Sequence, residues 1–418
     1  MFDNSQKPKL FDTMKGYNFS TFTSDLVAGI IVAIIALPLS IALAIASGVG
    51  PNEGLYTAIV AGFIVSFLGG TRIQISGPTA AFSSIVASTV INHGMETLIV
   101  STIVAGILLI IFGLLKLGKY ITRIPNTIVI GFTAGIALNI FVGQLKDFCG
   151  ITYLNGANPI GSVDKLIEFF RNIHTINPLA LLTGFVSLLV IIIFPKIFKK
   201  IPEIPESLIS ILVATFIVII FKLNVLKIND LYVITNKPMT FHMPDFILLK
   251  SPTVYMTGFT IAALTAIESL LACMVSDKMI NDKHHSNTEL IAQGVGSIAS
   301  VLFGGIPATG ALARTTANVK NGGKTPVSGM IHSIVLFLIL IGLMKYVGMI
   351  PMPTVASLLF IVAYNMSQIN AIREYIKIGN KKDLLIIFVC FIFTFIINLV
   401  VGIAISLVLW FILYKIMK

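Results

Sequence analysis

The chain has 418 residues, 56% hydrophobic and only 11% charged, and its mean hydropathy of +0.96 lies far outside the range of soluble globular domains. Its formal charge of +11 comes from basic residues scattered through short loops, not gathered into a groove or stripe, which argues against a nucleic-acid partner. The three cysteines, Cys149, Cys273 and Cys390, lie in or beside apolar runs without paired spacing, so redox chemistry and a thiolate metal site are not indicated.

These features describe an all-α polytopic membrane protein. Residues 1–24 are a polar lead, read as a cytoplasmic N-terminal segment, and the apolar run that follows is too long for a signal-peptide core. At about 17–22 apolar residues per span, helices are expected near 25–46, 54–69, 78–91, 97–115, 125–145, 177–195 and 204–222, then near 254–274, 287–304, 309–319, 327–344, 353–368, 383–398 and 399–416. The third and tenth of these fourteen are too short to cross alone. They begin inside "GGTRIQISGPTAAF" and "GGIPATGALART", and are expected as half-helices preceded by short extended strands.

The chain therefore reads as a first seven-span repeat over 25–222, a linker over 223–252 carrying Pro238, Pro244 and Pro252, and a second seven-span repeat over 253–418. Seven is odd, so the second repeat is inverted. Twenty of the 29 Lys and Arg residues fall on the side of the N-terminus, which places both termini in the cytoplasm of a multi-pass protein in the cell inner (plasma) membrane.

Paired interruptions at corresponding places in inverted halves point to a transporter's binding site. Non-helical backbone at membrane depth is tolerated only where protein buries it or where it lines a cavity. Gly77 and Pro78 end the first extended stretch, with Pro78 expected in the first helical turn and Thr79 and Ala80 after it; Pro307 and Gly310 precede Leu312, Ala313 and Arg314 in the second. Two helix N-termini facing each other would offer free amides and positive dipole ends to an anion, and Arg314 would add a full charge. The competing reading is that Gly and Pro merely kink or pack these helices.

Glu268, the acid deep in the eighth span, is either a proton-coupling group or one half of a static ion pair with Arg314. Other signals carry less. "NVKNGGKT" lacks the first glycine of a phosphate loop, and His284-His285 has no suitably spaced third ligand. Ser286 and Glu289 match a capping box for the ninth helix, and 162–173 reads as an amphipathic surface helix.

The stretches "ALPLSIALAIASGVGPNEGLYTAIVAG", "QISGPTAAF", "IPNTIVIGFTAGIALNI", "NTELIAQGVGSIASVLFGGIPATGALARTTANVKNGGKTPVSG" and "VGIAI" together resemble the SulP (sulfate permease) family of anion transporters. "GLYTAIVAG" and "GFTAGIALNI…QLKDF" are most similar to its bacterial dicarboxylate-transporting branch. The resemblance implies fourteen spans as a seven-plus-seven inverted repeat, spans 1–4 and 8–11 forming a mobile core and 5–7 and 12–14 a gate. It also implies an anion between the two half-helices and the first span. By motif position this assigns Leu39 and Leu43 after Pro38, Thr79, the backbone at Leu312 and Ala313, and Arg314, with Glu268 at the acidic position of the eighth span.

Hydroxyl ligands of the sodium-coupled bicarbonate branch are replaced here by Ala272 and Leu312, which argues against sodium. The family's C-terminal STAS domain is not expected within the chain. The expected function is secondary active anion transport by an elevator movement, coupled to protons, with a dicarboxylate, sulfate or bicarbonate as substrate. The alternative is an uncoupled exchanger or channel-like anion conductor. Expected partners are a small anion, a proton, the lipid bilayer and a second copy of the chain, with no cofactor, metal or nucleic acid. A neutral nucleobase permease is disfavoured by Arg314.

Overall fold

The computed structural model describes residues 7–121, 125–154, 159, 161–197, 205–236, 238–397 and 399–416. In the first half of the chain, α1 (Lys9–Thr13) precedes the long α2 (Phe19–Ala46) and α3 (Pro51–Leu68). A two-residue strand, β1 (Ser76–Gly77), and a 3-10 turn at Ala80–Phe82 lead into α4 (Ser83–Leu114). Then come α5 (Gly118–Ile121), α6 (Asn126–Cys149), α7 (Ser162–Arg171), α8 (Pro178–Ile197) and α9 (Glu206–Ile220). The short α10 (Ile228–Leu231) lies in the connection to α11 (Pro252–Ile280) and α12 (Ser286–Leu302). Strand β2 (Thr309–Gly310), α13 (Leu312–Lys320), α14 (Val327–Val347), α15 (Met352–Met366), α16 (Ile369–Ile378), α17 (Lys381–Ile396) and α18 (Leu399–Phe411) follow.

Among the described residues, eight helical stretches of at least 18 residues are apolar enough to cross a bilayer. The segments expected near 78–91 and 97–115 meet at Gly94, whose φ of 84° and ψ of 167° break the helical path of α4. Glycine reaches this conformation without a Cβ clash. Of the amphipathic stretch expected at 162–173, Ser162–Arg171 is helical as α7 and has no fully buried residue, while Asn172 just past it is buried.

The chain divides into two compact units, and each takes segments from both halves of the sequence. The first comprises Met1–Thr122, Ile192–Ile209 and Lys227–Ile350. There α4 packs on α11 and α12, while α14 packs on α2 and α3. Glycines allow close approach: a Cβ on Gly294 of α12 would lie 2.5 Å from the Gly106 carbonyl oxygen of α4, and one on Gly106 would lie 2.7 Å from that of Gly294. In lipid, where burying apolar surface between helices gains little, such backbone proximity is a main source of packing energy. On the side of the amino terminus, buried Asp25 of α2 accepts the Lys324 and Thr325 amides at 2.7 and 3.1 Å and so fixes the turn between α13 and α14.

The second unit comprises Arg123–Ile191, Ser210–Leu226 and Pro351–Lys418. Its centre is α6, against which α15 and α17 pack. Gly131 and Gly135, four residues apart on α6, face Cys390 and Thr394 of α17 at distances that leave no room for a Cβ. Nearby, Phe148 lies over Gly184 and packs edge-on to Phe185 with ring centroids 5.4 Å apart.

One local expectation is overturned. The cap of α12 is His285, not Ser286, whose hydroxyl pairs instead with His284 Nε2 at 2.8 Å. Glu289 does not reach back to a cap amide, because its carboxylate is drawn inward to buried donors described below. Close packing gives a direct test: Gly294→Val, which sets a branched side chain against the Gly106 carbonyl, should destabilise the protein by about 1–3 kcal/mol, read as a lower thermal unfolding midpoint in detergent.

Candidate functional site

Both interrupted segments lie in the first unit, and their extended parts pair with each other. Strands β1 and β2 run antiparallel with Ser76 opposite Gly310 and Gly77 opposite Thr309. The ladder continues one step further, where the Ala311 amide donates to the Ile75 carbonyl at 2.9 Å. Two residues per strand cannot satisfy all the backbone groups released from helical bonding, and each one left bare would cost about 1–3 kcal/mol.

Side-chain hydroxyls supply the missing partners. Thr57 Oγ1 accepts the Ile306 amide at 2.7 Å, Ser300 Oγ donates to the Ile306 carbonyl at 2.8 Å, and Ser297 Oγ donates to the Ala308 carbonyl at 3.1 Å. Ser269 Oγ accepts the Gly310 amide at 3.1 Å and lies 2.7 Å from Thr309 Oγ1. Thr315 Oγ1 accepts the Ile75 amide at 3.1 Å. Pro307 sits in this run without an amide needing a partner.

A second set of groups braces the strands from behind. Glu289, fully buried on α12, accepts the Gly70 amide at 2.9 Å, Gln74 Nε2 at 3.0 Å and Gln293 Nε2 at 2.8 Å. Gln293 also donates to Ser76 Oγ at 2.8 Å, and Gln74 accepts the Cys273 thiol at 2.7 Å. The tip of Gln74 occupies the space in which a Cβ on Gly310 would stand.

From this platform the two half-helices start. Thr79 is extended at φ −130° and ψ 157° and caps the turn beginning at Ala80, which is buried. Pro78 therefore lies in the extended segment, before the cap, and not in the first helical turn as the sequence suggested. Its carbonyl is turned instead to the Arg314 guanidinium, which it meets at 3.2 Å from Nη2.

Helix α13 begins at Leu312, capped by the extended Ala311. Leu312 is 41% exposed and Ala313 is also exposed, so the open end of this helix is accessible. Arg314, two residues further on, is only 2% exposed. Its Nη2 also donates to Ser40 Oγ on α2 at 3.2 Å, while its Nη1 has no hydrogen-bond partner among the described residues. Gly77 makes room for that nitrogen, because a Cβ there would strike it. Ser40 follows Pro38 and Leu39 in the interior of α2; Leu39 keeps part of its surface open and Leu43 is buried.

Glu268 and Arg314 form no ion pair among the described residues, which removes the static-pair reading. Glu268 is half-buried and its carboxylate accepts the Thr79 hydroxyl at 3.1 Å, linking α11 to the cap of the first half-helix. The structure thus gathers Thr79, Ala80, Glu268, Leu312, Ala313 and Arg314 around one platform, with α2 contributing through Ser40. Sequence reasoning missed Ser40, the hydroxyl scaffold and the Glu289 group. Their signal was polar residues at intervals within otherwise apolar helices, as in "LIAQGVGSIAS".

A bundle of long apolar helices enclosing a broken-helix site with a buried cation defines a multi-pass membrane transporter. A family model described as the sulfate permease family matches residues 22–390. The protein YvdB of Bacillus subtilis (strain 168) is 38% identical over 96% of this chain and 75% of its own length. The bicarbonate transporter BicA of Picosynechococcus sp. is 31% identical over 93% of this chain and 69% of its own length. The transmembrane domain of a cyanobacterium bicarbonate transporter BicA matches in structure with a TM-score of 0.80 at 28% identity, covering 94% of this chain and 98% of that one. The chain belongs to the sulfate permease family and is a membrane anion transporter, not an enzyme.

The scaffold is testable apart from transport. Ser269→Ala leaves the Gly310 amide and the Thr309 hydroxyl short of a partner, and is expected to cost about 1–3 kcal/mol. A thermal unfolding midpoint equal to that of the parent protein would show that the hydroxyl is dispensable.

Proposed function

We propose that the chain is a secondary active anion transporter that holds its substrate between the starts of the two half-helices and moves it by an elevator displacement, with proton coupling through Glu268. The observation that carries this reading is Arg314, a buried guanidinium whose Nη1 has no hydrogen-bond partner among the described residues, two residues past the exposed start of α13 and bonded to the Pro78 carbonyl just before the half-buried Thr79. A buried cation without a carboxylate partner is expensive in a membrane interior, and an anion nearby offsets that expense. The first-turn amides of both half-helices add positive dipole ends on the same side. In this arrangement Arg314 acts through the Pro78 carbonyl and at short range, while Thr79, Leu312 and Ala313 meet the solute.

The proton role follows from charge. An ionised Glu268 hydrogen-bonded to Thr79 repels an anion arriving at the same cap, and protonation removes that repulsion, so proton and anion load together. The proposed topology is fourteen spans as a seven-plus-seven inverted repeat, with both termini cytoplasmic. Bicarbonate and sulfate are supported by the family and by the relatives, and a dicarboxylate by the apolar Leu39 and Leu43 on α2.

Two experiments test this assignment. In reconstituted vesicles, Arg314→Ala should raise the half-saturating anion concentration by roughly 30-fold or more, the scale of about 2 kcal/mol, in protein that still unfolds cooperatively. Unchanged uptake would remove Arg314 from the site. Glu268→Gln should retain anion exchange and lose accumulation driven by an inward proton gradient; full accumulation would refute coupling through this carboxylate, and large uncoupled currents in the parent protein would favour a channel-like conductor.

A further inference from the structure

We infer that Glu289 is a positioning residue for anion binding, acting through Gln74 and Gln293 to set the two paired strands from which the half-helices begin. The inference rests on the proposed site between those half-helices. Glu289 is fully buried near the start of α12, and no cation pairs with it among the described residues. Its carboxylate accepts three N–H groups, from Gly70, Gln74 and Gln293. With no ion pair among the described residues, the buried carboxylate relies on these hydrogen bonds, which are strong when the acceptor is ionised.

Each bond leads to the site. Gln293 continues to Ser76 Oγ at 2.8 Å, so one carboxylate oxygen is a single residue removed from β1. Gln74 is pinned at both ends of its amide, by Glu289 and by the Cys273 thiol, and its tip fills the place beneath Gly310 of β2. Gly70 opens the turn that delivers the chain into β1. Ser76 and Gly310 are register partners, so both arms from Glu289 converge on one rung of the ladder. Arg314 and the Pro78 carbonyl depend on that rung, since Gly77 and Ala311 are its immediate neighbours. A shift of the rung moves both helix starts relative to each other, and recognition by oriented amides is sensitive to such shifts.

Substituting Glu289→Gln turns an acceptor into a group that presents N–H to the N–H groups of Gln74 and Gln293. In reconstituted vesicles with sulfate and bicarbonate as probes, this variant should raise KM about tenfold, the scale of one lost hydrogen bond to a charged group, with maximal rate per folded carrier within about twofold of the parent. The reversed pair Glu289→Gln with Gln74→Glu, which restores one carboxylate-to-amide bond, should recover most of the affinity. An unchanged KM in Glu289→Gln, an equal loss confined to maximal rate, or a reversed pair no better than the single variant would each overturn the inference. Should Glu289→Gln fail to fold, Gln293→Ala removes only the arm to Ser76 and is held to the same change in KM. Leu312→Trp, which obstructs the exposed start of α13, separates the two readings. If it leaves uptake intact the site itself is wrong, whereas blocked uptake with an unchanged KM in Glu289→Gln refutes the role of Glu289 alone.

Discussion

The structure depends on one constraint: backbone amides and carbonyls that leave a helix inside a membrane must find partners, and water is not there to provide them. Between Gly69 and Ala80, and again between Gly304 and Ala311, the chain gives up helical bonding and with it the usual partner for nearly every peptide group. The solution is a minimal antiparallel ladder extended by hydroxyls from α3, α11, α12 and α13. Because those hydroxyls come from four helices, the broken segments hold the first unit together as well as opening a site within it.

The charge arrangement follows from the same geometry. Arg314 is not displayed at the surface of the site but held behind it, its guanidinium against Ser40 and the Pro78 carbonyl. In the proposed mode of binding this divides labour between Thr79 and the exposed start of α13, which would meet a solute, and a buried cation, which would set the local potential. Glu268 and Glu289 stand at different places in this plan. The first touches a cap residue at the open side of the platform, the second is sealed behind it, and neither is neutralised by Arg314.

Much of this was legible in the residues. Apolar runs of bilayer length located the long helices, and paired Gly/Pro interruptions located the half-helices, because both signals arise from local backbone chemistry. Where the break ends was less legible. Pro78 suits a first helical turn by its own preferences, and only the guanidinium of a residue 236 positions later draws its carbonyl away. Ser286 and Glu289 carry the spacing of a capping box, yet tertiary donors on Gly70 and Gln74, with Gln293 one turn along the same helix, compete for the carboxylate and win. The hydroxyl scaffold was invisible for a different reason. Serine and threonine in membrane helices commonly bond to the carbonyl one turn back, as Ser40 does to Ala36 and Thr265 to Ile261, and sequence does not tell these from hydroxyls aimed at another segment.

The pairing of β1 with β2 has a consequence for how the protein is made. The Ile75 amide takes its partner from Thr315, 240 residues later in the chain. At ribosomal speeds of about 5–20 residues per second that interval lasts roughly 10–50 s, during which the first broken segment is already synthesised and its counterpart does not yet exist. Over that time its peptide groups need temporary hosts, whether the water-filled interior of the insertion machinery or a shallow position at the lipid headgroups, so the first half of the bundle settles late, when the second arrives.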